Sequence, residues 1–181
     1  LPETKTRAGR RKDVDFNSFH IAEAPGNFML AINHYLKTQW KDGNWTWYAN
    51  TYRPGEDETH LPDQYGLIAQ SPKRWLWGAD GDGDITSISN ILSFRMKLHN
   101  IPIHLITSDV KYIPSGEMTW DEEERLNIPV HLGHTLTSLT ILERGGTAIL
   151  KEYTFFETHS VNLLWLLSYC FKEIIIVKPE T

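Results

Sequence analysis

Asp109 ends the apolar run "IHLITSD" and Lys151 ends "TAILK". Each stands at the carboxyl end of an expected strand, which is where open α/β sheets hold their ligands. An ammonium and a carboxylate meeting there can orient or deprotonate a hydroxyl nucleophile. Partial burial lowers a lysine pKa unless a carboxylate compensates. The same two residues also fit a plainer role, a semi-buried ion pair that only closes the sheet.

Three other groupings invite chemistry. Asp80-Gly-Asp82-Gly-Asp84 places alternate carboxylates as calcium loops do, but the twelfth position from Asp80 is Ile91 where an EF-hand needs glutamate. The better reading is a carboxylate loop at a strand end that accepts hydrogen bonds from a polar cofactor group. His131 and His134 have helical i, i+3 spacing, yet no third metal ligand lies nearby in sequence, so they read as two helix-surface histidines. Trp40, Trp45, Trp47, Trp75 and Trp77 have faces on which a base can stack, or they belong to the core and sheet faces.

The elements that must position these residues follow from punctuation and periodicity. Phe19 to Glu23 reads as a strand, Pro25-Gly26 as a turn and Asn27 to Gln39 as a helix. Trp45 to Ala49 and Trp75 to Gly78 read as strands on either side of a long Pro-, Gly- and acid-rich connection. A helix over Ser87 to Leu98 and a buried strand over Ile103 to Thr107 come next. Asp121 to Arg144 reads as helix broken near Pro129, with Leu132, Leu136, Leu139 and Leu142 on its apolar face and Gly145-Gly146 as its stop. Thr147 to Glu152 is then a strand, Thr158 to Phe171 a helix, and Glu173 to Val177 a last strand wanting burial on both faces. Strands alternating with helices mean an α/β fold with a mostly parallel sheet and helices on both faces.

The chain has 181 residues, 40% of them hydrophobic and 12% aromatic, which suits one domain with a real core. Residues 1–18 form a basic arm carrying Lys5, Arg7, Arg10, Arg11 and Lys12, and 19–181 form the domain. The run from Val161 to Phe171 is too short to span a bilayer and no leader opens the chain, so no membrane partner is expected. Cys170 is the lone cysteine, which excludes an internal disulfide and points to a reducing compartment. A net charge of −5 argues against nucleic-acid binding by bulk electrostatics and leaves only local patches, the arm and Lys73-Arg74.

The loop Glu23-Ala24-Pro25-Gly26-Asn27-Phe28 resembles the Ala-Pro-Gly-Gly-Phe loop of the FtsJ-like ribose 2′-O-methyltransferases. That resemblance implies a Rossmann-like methyltransferase fold in which Ala24, Pro25, Gly26, Asn27 and Phe28 wrap the methionine part of S-adenosylmethionine. "DGDGDIT" is similar to the loop lining the adenosine site in cap-methylating members, which carries over to Asp82, Asp84 and Ile85. Asp109 and Lys151 match the Asp and second Lys of the family's Lys-Asp-Lys-Glu tetrad, and Asp109 also borders the cofactor. "VKPET" resembles the segment after the sixth strand. By motif spelling the similarity is greatest to the cap-methylating type, including that of large cytoplasmic DNA viruses.

Three departures accompany it. Asn27 stands where the family has glycine. Lys5 is at the margin of the spacing for the first tetrad lysine and Lys12 is too close. Glu180 is not the tetrad glutamate, which with the family's final strand would fall past Thr181, so the chain is expected to be a domain of a longer protein. The resemblance implies a metal-free methyl transfer from S-adenosylmethionine to RNA, capped mRNA above all, in the cytoplasm or a virion. Lys151, with a lowered pKa, would steer or deprotonate the ribose hydroxyl beside Asp109. The competing readings are an inactive methyltransferase-like domain that binds RNA or scaffolds, and a doubly wound nucleotide enzyme, although no P-loop or full G-x-G-x-x-G is present.

Overall fold

A computed structural model describes residues 15–40, 43–53, 63–112 and 120–178. The basic cluster Lys5 to Lys12, the middle of the long connection and Glu180 lie outside the described residues. Four strands, β1 (Asp15–Ile21), β2 (Asn44–Ala49), β3 (Ile103–Ser108) and β4 (Leu142–Leu150), form one sheet in the order β2-β1-β3-β4. Every pairing in it is parallel. Four α-helices lie between them, α1 (Asn27–Gln39), α2 (Leu67–Gln70), α3 (Ile88–Leu98) and α4 (Trp120–Ile141), and α5 (Thr158–Cys170) follows β4. This is the expected α/β architecture.

The chain leaves β1 through α1 to β2 on one side and later returns to place β3 on the other. The direction of winding therefore reverses between β1 and β3, and a crevice opens beyond their carboxyl ends. β1 is buried on both faces from Phe16 to Ile21, as a central parallel strand must be. Phe19 and Ile21 pack with Ile106, Phe94 and Leu98 in the main core. Met29 of α1 joins Ala49 and Trp75 in a second cluster that Trp45, Trp47 and Trp77 flank. Those tryptophans serve the fold.

Element boundaries agree with the sequence where a cap or a turn residue marks them. α1 begins at Asn27 after Gly26, whose φ of 120° only glycine adopts readily; a Cβ there would stand 2.3 Å from Leu67 Cδ1. α3 begins after Ser87, whose hydroxyl accepts the Asn90 N–H.

Four expectations are corrected. β1 starts at Asp15 rather than Phe19, because its pairing with β2 runs from Asp15↔Asn44. Trp75 to Gly78 makes only a single bridge, Ala49 to Trp75, before Gly78 at φ 79° turns the chain into the acidic loop. α4 runs unbroken through Pro129, and Asn127 Nδ2 donates to the Glu123 carbonyl at 2.7 Å one turn upstream. β4 follows directly at Leu142, and Gly145-Gly146 do not stop the helix. They sit in a bulge where five steps along β4, Leu142 to Thr147, oppose two along β3, Ile103 to Leu105.

The leucine face of α4 is buried only in part: Leu136, and Leu142 at the start of β4, pack against the main core. Leu132 is exposed, whereas His131, His134, Thr135, Thr137 and Ser138 are buried. Gly133 lets the helix approach closely: a Cβ there would meet the Ile85 carbonyl oxygen at 2.3 Å. Glu173 to Val177 forms no ladder among the described residues. Its side chains instead border a cavity with Ala148 and Leu150 of β4 and Leu163 and Leu167 of α5. A strand needs a hydrogen-bonding edge, and apolar content alone does not supply one.

Candidate active site

A cavity of about 420 Å³ opens in the crevice beyond β1 and β3. Ala22, Asn50, Gly83, Asp84, Ile85 and Asp109 are among its walls. Asn50, 1% exposed, knits these walls together. Its N–H donates to the His20 carbonyl at 2.8 Å, its carbonyl accepts the Glu23 N–H at 2.9 Å, and its Nδ2 donates to the Gly83 carbonyl at 2.9 Å. Ala22 between them takes φ 52°, a left-handed conformation unusual for a residue with a Cβ. Asn50 carried no signal in the sequence, being one polar residue in a loop.

Of the loop that follows, only Ala22 lines the cavity; Ala24, Pro25, Gly26, Asn27 and Phe28 do not. Ala24 and Gly26 are buried. Asn27 is exposed and its Oδ1 accepts the Tyr65 hydroxyl at 3.4 Å. Glu23 is buried and caps α1, its Oε1 accepting the Met29 N–H at 2.9 Å. Burial pushes its pKa up to about 7 against the pull of those backbone donors. Behind it a buried polar chain runs from Trp45 Nε1 to Ser18 Oγ, His20 and Thr107 Oγ1 through contacts of 2.8, 2.8 and 2.7 Å. Burial pulls His20 down to about 3.

The acidic loop spends much of its carboxylate capacity on itself. Asp80 accepts the Ser87 and Ser89 hydroxyls at 2.6 and 2.8 Å, which lower its pKa. Asp82 accepts the Asp84 N–H and Asn90 Nδ2, both at 2.9 Å, and does not line the cavity. Asp84 accepts Thr86 N and Oγ1 at 2.8 Å and does line it, as does Ile85. Among the described residues no group of three or more His, Cys, Asp or Glu side chains is arranged to hold a metal ion.

Lys151 Nζ lies 2.6 Å from Asp109 Oδ1. Both side chains are close to half exposed, at 47% and 40%. The two residues follow the last rung between β3 and β4, where the Lys151 N–H donates to the Ser108 carbonyl at 3.0 Å. The expected lowering of the lysine pKa is corrected: the Asp109 hydrogen bond outweighs desolvation and raises it. Tyr153 stands between two ammonium groups, Lys151 Nζ at 5.3 Å and Lys111 Nζ at 4.9 Å from its ring centre. Lys111 is itself held by Glu123 at 2.5 Å.

His131 and His134 are not surface residues; their side chains are 2% and 0% exposed. Their rings stack at 5.3 Å with 13° between planes. His134 Nε2 lies 3.0 Å from Glu152 Oε1, and its Nδ1 lies 3.1 Å from Ser108 Oγ. His131 Nδ1 lies 2.7 Å from Glu152 Oε2 without the alignment of a directed hydrogen bond. Burial opposes ionisation of Glu152, yet the two imidazoles hold its pKa down to about 2. A helical i, i+3 histidine pair is the signal for this group, but sequence spacing does not reveal which face of α4 is buried.

The model of the FtsJ-like methyltransferases matches residues 4–181. The chain belongs to the FtsJ-like methyltransferase family. Among relatives of this FtsJ-like domain, a cap-specific mRNA (nucleoside-2′-O-)-methyltransferase 2 of Danio rerio is 35% identical over 100% of the chain and 24% of its own length. A probable methyltransferase of African swine fever virus is 34% identical over 93% of the chain and 42% of its own length. An uncharacterised protein of Acanthamoeba polyphaga mimivirus is 33% identical over 93% of the chain and 21% of its own length. The FtsJ-like domain thus spans less than half the length of each of these relatives.

Proposed function

We propose that this domain transfers a methyl group from S-adenosylmethionine to a ribose 2′-hydroxyl of RNA, next to the 5′ cap. The observation that carries the reading is the Asp109–Lys151 pair, of which Asp109 lines the cavity at the winding reversal of the sheet and Lys151 reaches it only through Asp109. The name of the Danio rerio relative supplies the class of RNA. The cavity's volume of about 420 Å³ suits a ligand of the donor's class, and its walls carry the carboxylates of Asp84 and Asp109, which favour a sulfonium cation, beside the ammonium of Lys111.

When bound, S-adenosylmethionine supplies an activated methyl group for in-line displacement. Asp84 and Ile85 would border its adenosine, with Asp82 holding that loop in shape. Asp109 and Ala22 would border its methionine end, and Ala24 to Phe28 set the course of the chain there. Lys151 is an ammonium at neutral pH, because Asp109 accepts from it at 2.6 Å. An ammonium takes no proton. Its work is to donate a hydrogen bond to the ribose oxygen and aim a lone pair, so positioning supplies most of the acceleration. The proton leaves to water at the half-exposed rim.

Methyl transfer to a capped oligonucleotide, followed with labelled donor, tests the reading. Lys151→Ala is expected to lower the rate by about 10²-fold while cofactor affinity measured by calorimetry stays unchanged. Asp84→Asn, which keeps an acceptor for Thr86, is expected to weaken cofactor binding by about 10- to 100-fold. Undiminished transfer by Lys151→Ala would overturn the assignment.

A further inference from the structure

The densest group of buried titratable side chains lies outside the cavity, where α4 crosses the ends of β3 and β4. Ser108 precedes Asp109 in the chain and Glu152 follows Lys151. His134 spans the two, with Nδ1 3.1 Å from Ser108 Oγ and Nε2 3.0 Å from Glu152 Oε1. One imidazole therefore joins the chain neighbours of both members of the ion pair. We infer that His134, with Ser108 and Glu152, is a positioning device that fixes how Asp109 and Lys151 face each other. This inference deepens the proposed function and rests on it for the catalytic meaning of that pair.

Burial keeps His134 neutral at ordinary pH. The arrangement then has one assignment of protons: Nε2–H donates to the Glu152 carboxylate and Nδ1 accepts the Ser108 hydroxyl. Both links are directional, and they continue the tie between β3 and β4 past the last backbone rung, Lys151 N–H to the Ser108 carbonyl. Packing alone would not require this. A carboxylate left only 16% exposed between two imidazoles costs desolvation that an apolar filling would avoid, whereas a connected polar network selects one geometry. His131, stacked on His134 and 2.7 Å from the second carboxylate oxygen, holds Glu152 from the other side.

Two charge-neutral variants test the device. Ser108→Ala removes only the β3 link, and His134→Gln keeps a donor for Glu152 while losing the ring. The readout is the titration of Lys151 Nζ by NMR of ¹³C-labelled lysine, assigned with Lys151→Arg. The groups facing that nitrogen, Asp109 and Tyr153 with Lys111 across the tyrosine ring, are the same in both variants. The expected result is a Lys151 pKa lowered toward the ordinary value of about 10.4, because Asp109 is no longer held against it. The rate of methyl transfer is expected to fall about 10- to 100-fold with cofactor affinity retained.

An unchanged Lys151 titration in folded Ser108→Ala would overturn the inference, whatever the fate of His134→Gln. Failure of the wild-type domain to methylate capped RNA would overturn the proposed function instead, and the Lys151 titration would still decide the positioning role.

Discussion

Lys151 and Glu23 are both moved from their ordinary ionisation, in ways that spacing does not reveal. The positions of Asp109 and Lys151 are readable from strand ends, but the sign of the lysine shift depends on whether the two side chains touch. They do, at 2.6 Å, so a proton stays on the amine. For stability the buried groups behind the pair matter more. His20, lowered to about 3, makes stability climb as pH rises from about 3 to 6.5, since there only the unfolded chain is protonated. Glu152, lowered to about 2, adds to the climb up to about 4.5. Glu23, raised to about 7, acts oppositely between about 4.5 and 7, where the folded state keeps the proton. His134, also lowered by burial, adds to the climb below about 6.5. The expected profile rises steeply to about pH 4.5 and more shallowly from there to about 6.5. Urea titrations of Glu23→Gln should show the steeper rise continuing to about pH 6.5; a slope unchanged in that variant would refute the assignment to Glu23.

Elements bounded by a chemical stop were legible: Gly26 before α1 and Ser87 before α3 each impose a backbone state or supply a cap. Elements defined by a partner were not. Trp75 to Gly78 and Glu173 to Val177 have the composition of strands, but a ladder needs a matching edge, which no local pattern encodes. Gly145-Gly146 misled for the complementary reason, because a glycine pair suits a helix stop as well as the bulge between β3 and β4. The face of α4 was legible in part: Leu136 and Leu142 reach the main core, while the polar side around Gly133, the close-approach position, is buried as well and has no apolar signature. Gly26→Ala tests how firmly the first turn is specified. With φ at 120° and Leu67 Cδ1 at 2.3 Å, the variant is expected to lose about 1–3 kcal/mol, measured by denaturant unfolding. A loss below about 0.5 kcal/mol, the ordinary surface value, would show that the loop relaxes freely.

Across the whole molecule, protection should follow the sheet order. β1 and β3 are each flanked by strands on both edges, and Phe19 of β1 and Ile106 of β3 are fully buried, so amide exchange is expected to be slowest there. Residues 173–177, with Ile175 and Val177 at 72% and 74% exposure and no ladder, should exchange among the fastest. Comparable protection in the two regions would contradict the described packing. The net charge of −5 confines contact with the proposed ribonucleic acid substrate to local patches; Lys111 and Lys151 flank Tyr153, but each is already paired with a carboxylate, Glu123 and Asp109. The imidazole of His134 has one more consequence, for descent rather than mechanism. Ser108, His134 and Glu152 cannot drift independently, since replacing any one strands a buried polar partner, whereas exchanging all three for apolar residues removes the penalty together. Lineages should therefore tend to hold the trio intact or lose it whole, and a library randomising the three positions at once should recover apolar triple replacements more stable than the single substitutions on the way to them.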